Sequence, residues 1–227
     1  MGAFHSFMRN HNTNGDPAQD PAVWPSVTAA AIKANLFRYS YLPYLFSLHF
    51  VASMNGGTVV RPLFYEYPKD ENTYNLGHQF LWGSSLLVAP VVYQGATTVN
   101  AYLPEDDWYS LFDSNYGQLV NHGYQSLYAP VTSLIPVLNI LGGSILPRQK
   151  ANVTTEYTRK NAFELLIAPG VKFRAVGSAD GFLYWDDGES IVTSFDSHDY
   201  YQWTFKYSST SQNAVLTIKT NHQGVSP

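Results

Sequence analysis

The sequence predicts a mainly β protein that begins with one long helix, and three observations lead to this prediction. Apolar residues recur at helical spacing between residues 25 and 54. After Gly57, short β-branched and aromatic runs alternate with Gly, Pro, Asn and Asp, with a turn signal roughly every 8–12 residues. Aromatic residues make up 15% of the chain and charged residues 13%, a composition typical of strands.

The first element is an apolar stretch over residues 1–8, which we interpret as the end of a strand or helix. It leads into the polar motif RNHN, residues 9–12, followed by the turn residues Asn14-Gly15-Asp16-Pro17. Asn10 and Asn12 are expected to hold this loop through hydrogen bonds to the backbone. The pattern leaves open whether RNHN is a polar turn or the rim of a ligand site.

The helical segment has a start, a bend and a stop. Pro25 suits the first turn of a helix, and Pro43 is expected to kink it. Asn55-Gly56-Gly57 is a strong helix end. One apolar face is formed by Ile32, Leu36, Tyr39, Leu42 and Phe46.

The remaining segments predict two β modules, with a break where polar residues cluster near residues 149–160. The run LGGSILPRQ is interpreted as a strand that joins the modules, and Gly142-Gly143 as a close backbone approach or a bulge. In RPLFYEYP the aromatic residues alternate as in a strand, with the core as their default place. Arg61 is expected to be structural, paired either with Glu66 or with the predicted helix. Trp82 and Trp108 are expected to be buried anchors.

A cluster of acidic residues, Tyr184-Trp185-Asp186-Asp187-Gly188-Glu189, resembles a glycosidase centre at first sight. Asp-Gly between the runs FLYW and SIVTSF is also a strong hairpin signal. Carboxylates so close in sequence seldom face each other across a sugar. We therefore interpret this cluster as a hairpin turn.

Composition argues against several classes of partner. The net charge is −4 and the sequence contains no basic stripe, so no nucleic-acid partner is expected. The chain has no cysteine, which excludes disulfides and thiolate metal sites. No apolar run reaches the ~18 residues of a membrane span, and no spacing of histidines suggests a metal site.

Five segments, in order, resemble glycoside hydrolase family 31, especially α-glucosidases of the maltase, sucrase-isomaltase and lysosomal α-glucosidase type. They are GAFHSFMRNHNTNGDPAQDPAVW, LFRYSYLPYLFSLHFVASMNGGTVVRPLFYEYP, FLWGSSLLVAPVV, LGGSILPRQ and GFLYWDDGES. None of them is decisive alone. Five in family order at compatible spacing make a specific signal over nearly the whole chain.

The resemblance implies a domain order. Residues 1–55 would be the last strand–loop–helix unit of a (β/α)8 TIM barrel, with RNHN at the end of the barrel strand where such enzymes place their sites. Residues 56–150 would form a proximal C-terminal antiparallel β-sandwich, and residues 151–227 an incomplete distal one. We therefore expect a C-terminal fragment whose N-terminal barrel domain is missing.

The resemblance also implies an activity. The family hydrolyses α-glucosidic bonds with retention, using one carboxylate as nucleophile and another as acid/base. Both lie upstream of RNHN in the family, so this chain is expected to contain neither and to be inactive alone. The full-length protein would hydrolyse α-linked gluco-oligosaccharides such as maltose, with no cofactor and no metal.

For the site itself, the resemblance implies that His11 binds a hydroxyl of the glucose ring at the cleavage point. A neutral imidazole can donate or accept toward a sugar hydroxyl. Arg9 is expected to orient carboxylates rather than to contact sugar, with Asp20 as its local candidate. Arg9 and Asp20 are thus predicted to support the loop.

Two alternatives stay open from the sequence. One is a non-catalytic carbohydrate-binding or scaffold β-sandwich protein. The other is a family relative with α-xylosidase or glucosidase II specificity. One sequon, Asn152-Val153-Thr154, makes Asn152 a glycosylation candidate and favours a lumenal, lysosomal or extracellular location.

Overall fold

The structure is a computed structural model that describes residues 1–129 and 137–225. The helical segment is two helices, α1 (Pro25–Ser40) and α2 (Leu42–Asn55). They meet at Tyr41, and Pro43 lies in the first turn of α2, where its missing N–H costs no hydrogen bond. The structure thus has two helices where one long, kinked helix was predicted, with the break at Tyr41 beside Pro43. The predicted stop is confirmed, because Gly56 follows α2 with a φ of 76°.

The first 24 residues contain two short 3-10 helices, Gly2–Phe4 and Pro21–Val23. No strand is assigned here, and no described strand pairs with this segment. A strand needs partners for its backbone N–H and C=O groups. The apolar start is nevertheless buried, since Phe4 packs against Phe37 and Trp82 at ring distances of 5.5 and 5.3 Å.

The rest of the described chain is mainly β, which confirms the predicted fold class. Two further α-helices are single turns, α3 (Leu63–Glu66) and α4 (Thr155–Arg159), and 3-10 turns span Glu71–Thr73 and Asp113–Asn115. The strands are β1 (Val60–Arg61), β2 (Phe80–Trp82), β3 (Leu86–Ala89), β4 (Thr98–Leu103), β5 (Trp108–Ser110), β6 (Leu119–Val120), β7 (Gly123–Tyr128), β8 (Val137–Leu141), β9 (Ser144–Gln149), β10 (Phe163–Ala168), β11 (Ser178–Trp185), β12 (Tyr201–Ser209) and β13 (Ala214–His222).

These strands form three sheets. Sheet A has the order β1-β2-β3-β8-β5-β6, sheet B is the pair β4-β7, and sheet C has the order β10-β9-β11-β12-β13. Pairing is antiparallel except for one parallel contact between β9 and β11. Sheet A packs one face against the helices and the other against sheet B, so helices, sheet A and sheet B lie in successive layers.

Trp82 and Trp108 are fully buried, as expected of anchors. Trp82 faces the helices, where Tyr44 donates its hydroxyl to the Trp82 carbonyl at 2.9 Å. Trp108 faces sheet B and packs among Leu87 and Leu103. The two indoles thus fill the cores on opposite sides of sheet A.

Helix α2 also contacts sheet C. The Ser47 hydroxyl accepts from the backbone N–H of Tyr184 at 2.9 Å, and the Phe50 ring stacks on the Tyr184 ring at 4.2 Å. The β layers therefore cover α2. Helix α1 is less covered, because Ile32 and Leu36 remain 55% and 44% exposed.

One connection links sheets A and C. Strand β8 belongs to sheet A and β9 to sheet C, with Gly142-Gly143 between them, so the prediction of a joining strand is confirmed. The change of sheet falls at these glycines. The domain boundary at residue 150 stays a prediction.

The strand predicted in RPLFYEYP is wrong. Pro62 precedes the short helix α3, which buries Leu63 and leaves Phe64 and Tyr65 45% and 49% exposed. Of the two partners expected for Arg61, the structure shows Glu66, which accepts from the Arg61 guanidinium at 2.5 Å. This pair and the buried Leu63 favour a helical turn over an extended strand.

Candidate functional site

The polar loop after Phe4 is anchored by Arg38 of α1. Its guanidinium donates to the carbonyl oxygens of Ala3 at 2.8 Å, His5 at 2.5 Å and Ser6 at 2.9 Å. The indole N–H of Trp82 also donates to the carbonyl of Phe4. These bonds fix where the loop leaves the helical layer. Arg38 is not among the sequence-predicted site residues, because nothing local in the sequence signals contacts more than thirty residues away.

Two asparagines hold the loop together, as predicted. Asn10 donates its side-chain amide to the carbonyl of Gln19 at 2.9 Å, which joins the two ends of the loop. Asn12 donates to the carbonyls of Thr13 and Asp16 at 3.2 and 3.1 Å. The RNHN motif is therefore internally braced, although its side chains are exposed.

His11 is exposed at the middle of this motif. Its Nδ1 lies 2.7 Å from the carbonyl oxygen of Asn12, a contact that requires the proton on Nδ1. The neutral ring then keeps a lone pair on Nε2. His11 can thus accept a hydrogen bond from an incoming hydroxyl.

Arg9 and Asp20 lie at opposite ends of the loop. Asp20 accepts from the backbone N–H of Ala22 at 2.8 Å and so caps the 3-10 helix Pro21–Val23. The described residues show no ion pair between Arg9 and Asp20. Both side chains line a cavity of about 800 Å³ beside the loop, and their support of the loop stays a prediction.

The same cavity is lined by Asn35 of α1. The side-chain oxygen of Asn35 is buried and has no hydrogen-bond partner. His11 is not among the residues that line this cavity. The cavity and the Nε2 atom of His11 are thus separate features of one loop.

The acidic cluster at residues 186–189 is not the predicted tight hairpin. Strand β11 ends at Trp185 and pairs with β12, which begins at Tyr201, so residues 186–200 form a long connection. The run SIVTSF is not a strand. It is mostly exposed, with Ile191 at 92%. Extending β11 and β12 through this run would therefore bury little apolar surface.

The carboxylates of Asp186 and Asp187 are used in local bonds. Asp186 accepts from the Tyr184 hydroxyl at 2.5 Å and from the Gly188 N–H at 2.8 Å, and contacts His198 Nε2 at 3.1 Å. Asp187 accepts from the hydroxyl and N–H of Ser190, which lower its pKa to about 2. A carboxyl that must donate a proton needs the opposite shift. These bonds support a structural role for Asp186 and Asp187, although the predicted hairpin turn is wrong.

Within residues 1–129 and 137–225, no group of three or more potential ligands is arranged to hold a metal ion. In the same ranges no helix is long and apolar enough to cross a membrane.

Comparison with known proteins gives the family. The model of the glycosyl hydrolase family 31 TIM-barrel domain matches residues 1–48, and that of the family 31 C-terminal domain matches residues 56–146. The chain belongs to glycosyl hydrolase family 31. The two matched regions follow the order expected for the end of the barrel and the first β domain of a family 31 protein.

Individual relatives of this chain support its place in family 31. The α-glucosidase of Hordeum vulgare is 37% identical over 97% of this chain and 24% of its own length. The lysosomal α-glucosidase of Mus musculus is 36% identical over 85% of this chain and 21% of its own length. The chain therefore spans less than a quarter of each of these relatives.

Among solved structures, a family 31 dextranase of Flavobacterium johnsoniae in complex with glucose superposes with a TM-score of 0.82. It is 27% identical and is matched over 94% of this chain and 26% of its own. The agreement extends beyond residue 146, so sheet C also follows a family 31 fold.

Proposed function

We propose that this chain is the C-terminal part of a retaining α-glucosidase that hydrolyses α-linked gluco-oligosaccharides such as maltose. The observation that carries the proposal is the RNHN loop. In a family 31 chain, it presents an exposed histidine with a free ring nitrogen on a braced and anchored backbone. Such a group recognises hydroxyls, which are the main polar groups of a glucoside.

His11 would act as a hydrogen-bond acceptor. The Asn12 carbonyl holds the proton on Nδ1, so Nε2 accepts from a sugar hydroxyl. A bond that shortens as the glucose ring flattens stabilises the transition state more than the bound substrate. His11 therefore contributes to the rate as well as to binding.

The remaining chemistry would come from the rest of the full-length protein. Retaining hydrolysis needs two carboxyl groups about 5–5.5 Å apart across the glycosidic bond. Within the loop, Asp20 is used as a helix cap. We infer that the nucleophile and the acid/base lie on other barrel strands, and that this chain alone is inactive.

We further propose that the protein enters the secretory pathway. One of its relatives is named a lysosomal enzyme, and the sequon at Asn152 is exposed. The side-chain oxygen of Asn152 accepts from the N–H of Val153 at 2.8 Å. That contact leaves the amide nitrogen, the atom that a glycan modifies, outside this hydrogen bond.

The test is maltose hydrolysis by the full-length protein and its His11→Ala variant. We expect kcat/KM to fall roughly 100-fold, which corresponds to about 2.7 kcal/mol of transition-state stabilisation. His122→Ala is the matched control, because His122 is also exposed but directly precedes β7 of sheet B. A parent protein that does not cleave maltose, or an unaffected His11 variant, contradicts the proposal.

A further inference from the structure

Sheet B has an outer face that the proposed hydrolysis does not use. Strand β7 alternates between half-buried and exposed residues, and its exposed residues pair across to β4. We call this the tyrosine face; it consists of Thr98, Asn100, Tyr124, Ser126 and Tyr128. All five side chains are uncharged, and all five are exposed.

The two tyrosines of this face are unusually accessible. Tyr124 is 67% exposed and Tyr128 is 65% exposed, although both belong to a strand whose other face is partly buried. Isolated exposed apolar residues need no explanation, but two aromatic rings on one strand face form a patch. Each ring offers an apolar surface and a polar hydroxyl.

Tyr124 is also held in place. Its ring packs against that of Tyr102 on β4, with 4.8 Å between centroids. Tyr102 is itself buried and donates its hydroxyl to Asp70 at 2.6 Å. An exposed ring on such a support loses little conformational freedom when a ligand stacks on it, which favours binding.

The layer order places this face on the side of the molecule away from the helices. Sheet A lies between sheet B and the helices, and its two faces carry separate cores. Any part of the protein that docks on α1 or on the RNHN loop is therefore on the far side of the sandwich. The tyrosine face is remote from the proposed cleavage site.

We propose that the tyrosine face binds an α-linked glucan chain at a second, non-catalytic site. Residues 124 and 128 are four positions apart on one strand, so their rings are spaced by roughly 13 Å. A single sugar does not bridge that distance, whereas a chain of linked sugars does. The hydroxyl of Ser126 and the amide of Asn100 lie between the rings and offer hydrogen bonds to sugar hydroxyls.

The chemistry of the face favours a neutral sugar over other ligands. It has no charged side chain to pair with a phosphate or a carboxylate. Aromatic rings stack on the C–H faces of pyranose rings, and glucose in an α-glucan carries no charge. The ligand class rests on the proposed function, which makes α-glucosides the substrate.

A cavity of about 250 Å³ continues the face on the β4 side. Thr98 and Asn100 line both the cavity and the tyrosine face. Tyr93, which is 71% exposed, lines it as well and meets the ring of His78 edge-on. This recess gives one end of a bound chain further polar and aromatic contacts.

The experiment is affinity electrophoresis of the full-length protein in gels that contain soluble amylose. We expect amylose to retard the parent protein, and the Tyr124→Ala/Tyr128→Ala double variant to bind at least tenfold more weakly. The double Phe variant keeps the rings and should bind as the parent does. Tyr157→Ala, which removes an exposed tyrosine from α4, is the matched control.

Two measurements separate this proposal from the proposed function. Maltose kcat/KM should be unchanged in the double Ala variant, because the face is remote from His11. Amylose binding that weakens less than tenfold in the double Ala variant overturns the glucan site, even if maltose is cleaved. If the parent protein does not cleave maltose but the double Ala variant loses retardation, the result supports the glucan site and contradicts the proposed hydrolase function. A double variant that only changes the sedimentation coefficient identifies the face as a contact between copies, which also overturns the glucan site.

Discussion

Gly142 lies directly against Asp107 at the junction between sheets A and C. The backbone N–H of Gly142 donates to the Asp107 carbonyl at 2.7 Å. A Cβ built on Gly142 would lie 2.6 Å from the Cβ of Asp107 and 3.3 Å from its carbonyl oxygen. Only a glycine allows the two backbones to approach this closely.

Replacing Gly142 by alanine should therefore destabilise the protein. The added methyl group must push β5 away from the junction, and overpacking of this kind costs about 1–3 kcal/mol. Gly77→Ala is the control, because a Cβ there meets nothing within 4 Å and its φ is not positive. Chemical denaturation of both variants measures the difference, and equal midpoints would contradict the prediction.

Asp107 also binds the loop between β10 and β11. Its carboxylate accepts from the backbone N–H groups of Val171 at 2.7 Å, Lys172 at 3.0 Å, Phe173 at 3.2 Å and Arg174 at 3.1 Å. We expect Asp107→Ala to lower the free energy of unfolding by about 2–4 kcal/mol, because four N–H groups lose a charged acceptor. Urea titration at neutral pH gives the value.

The same carboxylate predicts an acid sensitivity. Burial alone would raise the pKa of Asp107, but the four N–H groups outweigh it and hold the pKa below its ordinary value. Its contribution is therefore complete above the unfolded-state pKa of about 3.9 and is lost as the pH falls through the lower folded-state value. Asp107→Asn should flatten the pH dependence of stability in this acid range. A parallel loss in parent and variant would exclude this origin.

Arg38 should control the position of His11. Arg38→Lys keeps the charge but cannot reach three carbonyl oxygens from one planar group. We expect maltose kcat/KM of the full-length protein to fall about tenfold, with proteolysis of residues 5–12 becoming faster. Arg148→Lys is a control, because Arg148 contacts Glu164 and Tyr116 rather than the loop. Unchanged kinetics in Arg38→Lys would show that the anchor is dispensable.

The pair Asp186–His198 should hold residues 186–200 against α2. Asp186→Ala leaves the hydroxyl of the buried Tyr184 without its acceptor, at a cost of about 1–3 kcal/mol. Hydrogen exchange should accelerate in residues 186–200 more than in β11. Glu189→Ala, on the exposed side of the same turn, is the control and should change little.

Glycosylation at Asn152 has a direct check. Expression of the full-length protein in a secretory host should give a product whose mass falls after enzymatic removal of N-glycans. Thr154→Ala removes the sequon but keeps Asn152, and should abolish the shift. Thr154 also caps α4 through its hydroxyl, at 3.2 Å from the Tyr157 N–H, so Asn152→Gln is the companion variant that leaves the cap intact. A product without mass loss contradicts the prediction.

Local patterns in the sequence were sufficient for the elements but not for the contacts between them. The helix ends at Pro25 and Gly56, the break near Pro43 and the strand that joins the sheets all follow from propensity and spacing. These features depend on backbone preferences of a few neighbouring residues. The bracing roles of Asn10 and Asn12 were predictable for the same reason.

The failures have a common physical cause. The helical turn α3 and the long connection after Trp185 were both predicted as extended hairpin or strand segments. In α3, the burial of Leu63 and the Arg61–Glu66 pair outweighed local strand propensity. After Trp185, the exposed run SIVTSF has too little burial to extend the hairpin. Arg38 and Asp107 were missed because their partners lie far away in sequence. The proposed role of His11 rests on the family resemblance, because local chemistry alone left the RNHN loop ambiguous.

The glycine link between β8 and β9 has a practical consequence for shortening this protein. A chain cut after Gln149 would keep β9 but lose β10 and β11, which pair with it on either side. Its backbone would then offer two unpaired edges, which promote aggregation. A truncation that ends at Leu141 instead removes sheet C whole, yet it uncovers Phe50 of α2. Sheet C thus covers α2, and a shortened protein without sheet C will need a polar residue in place of Phe50.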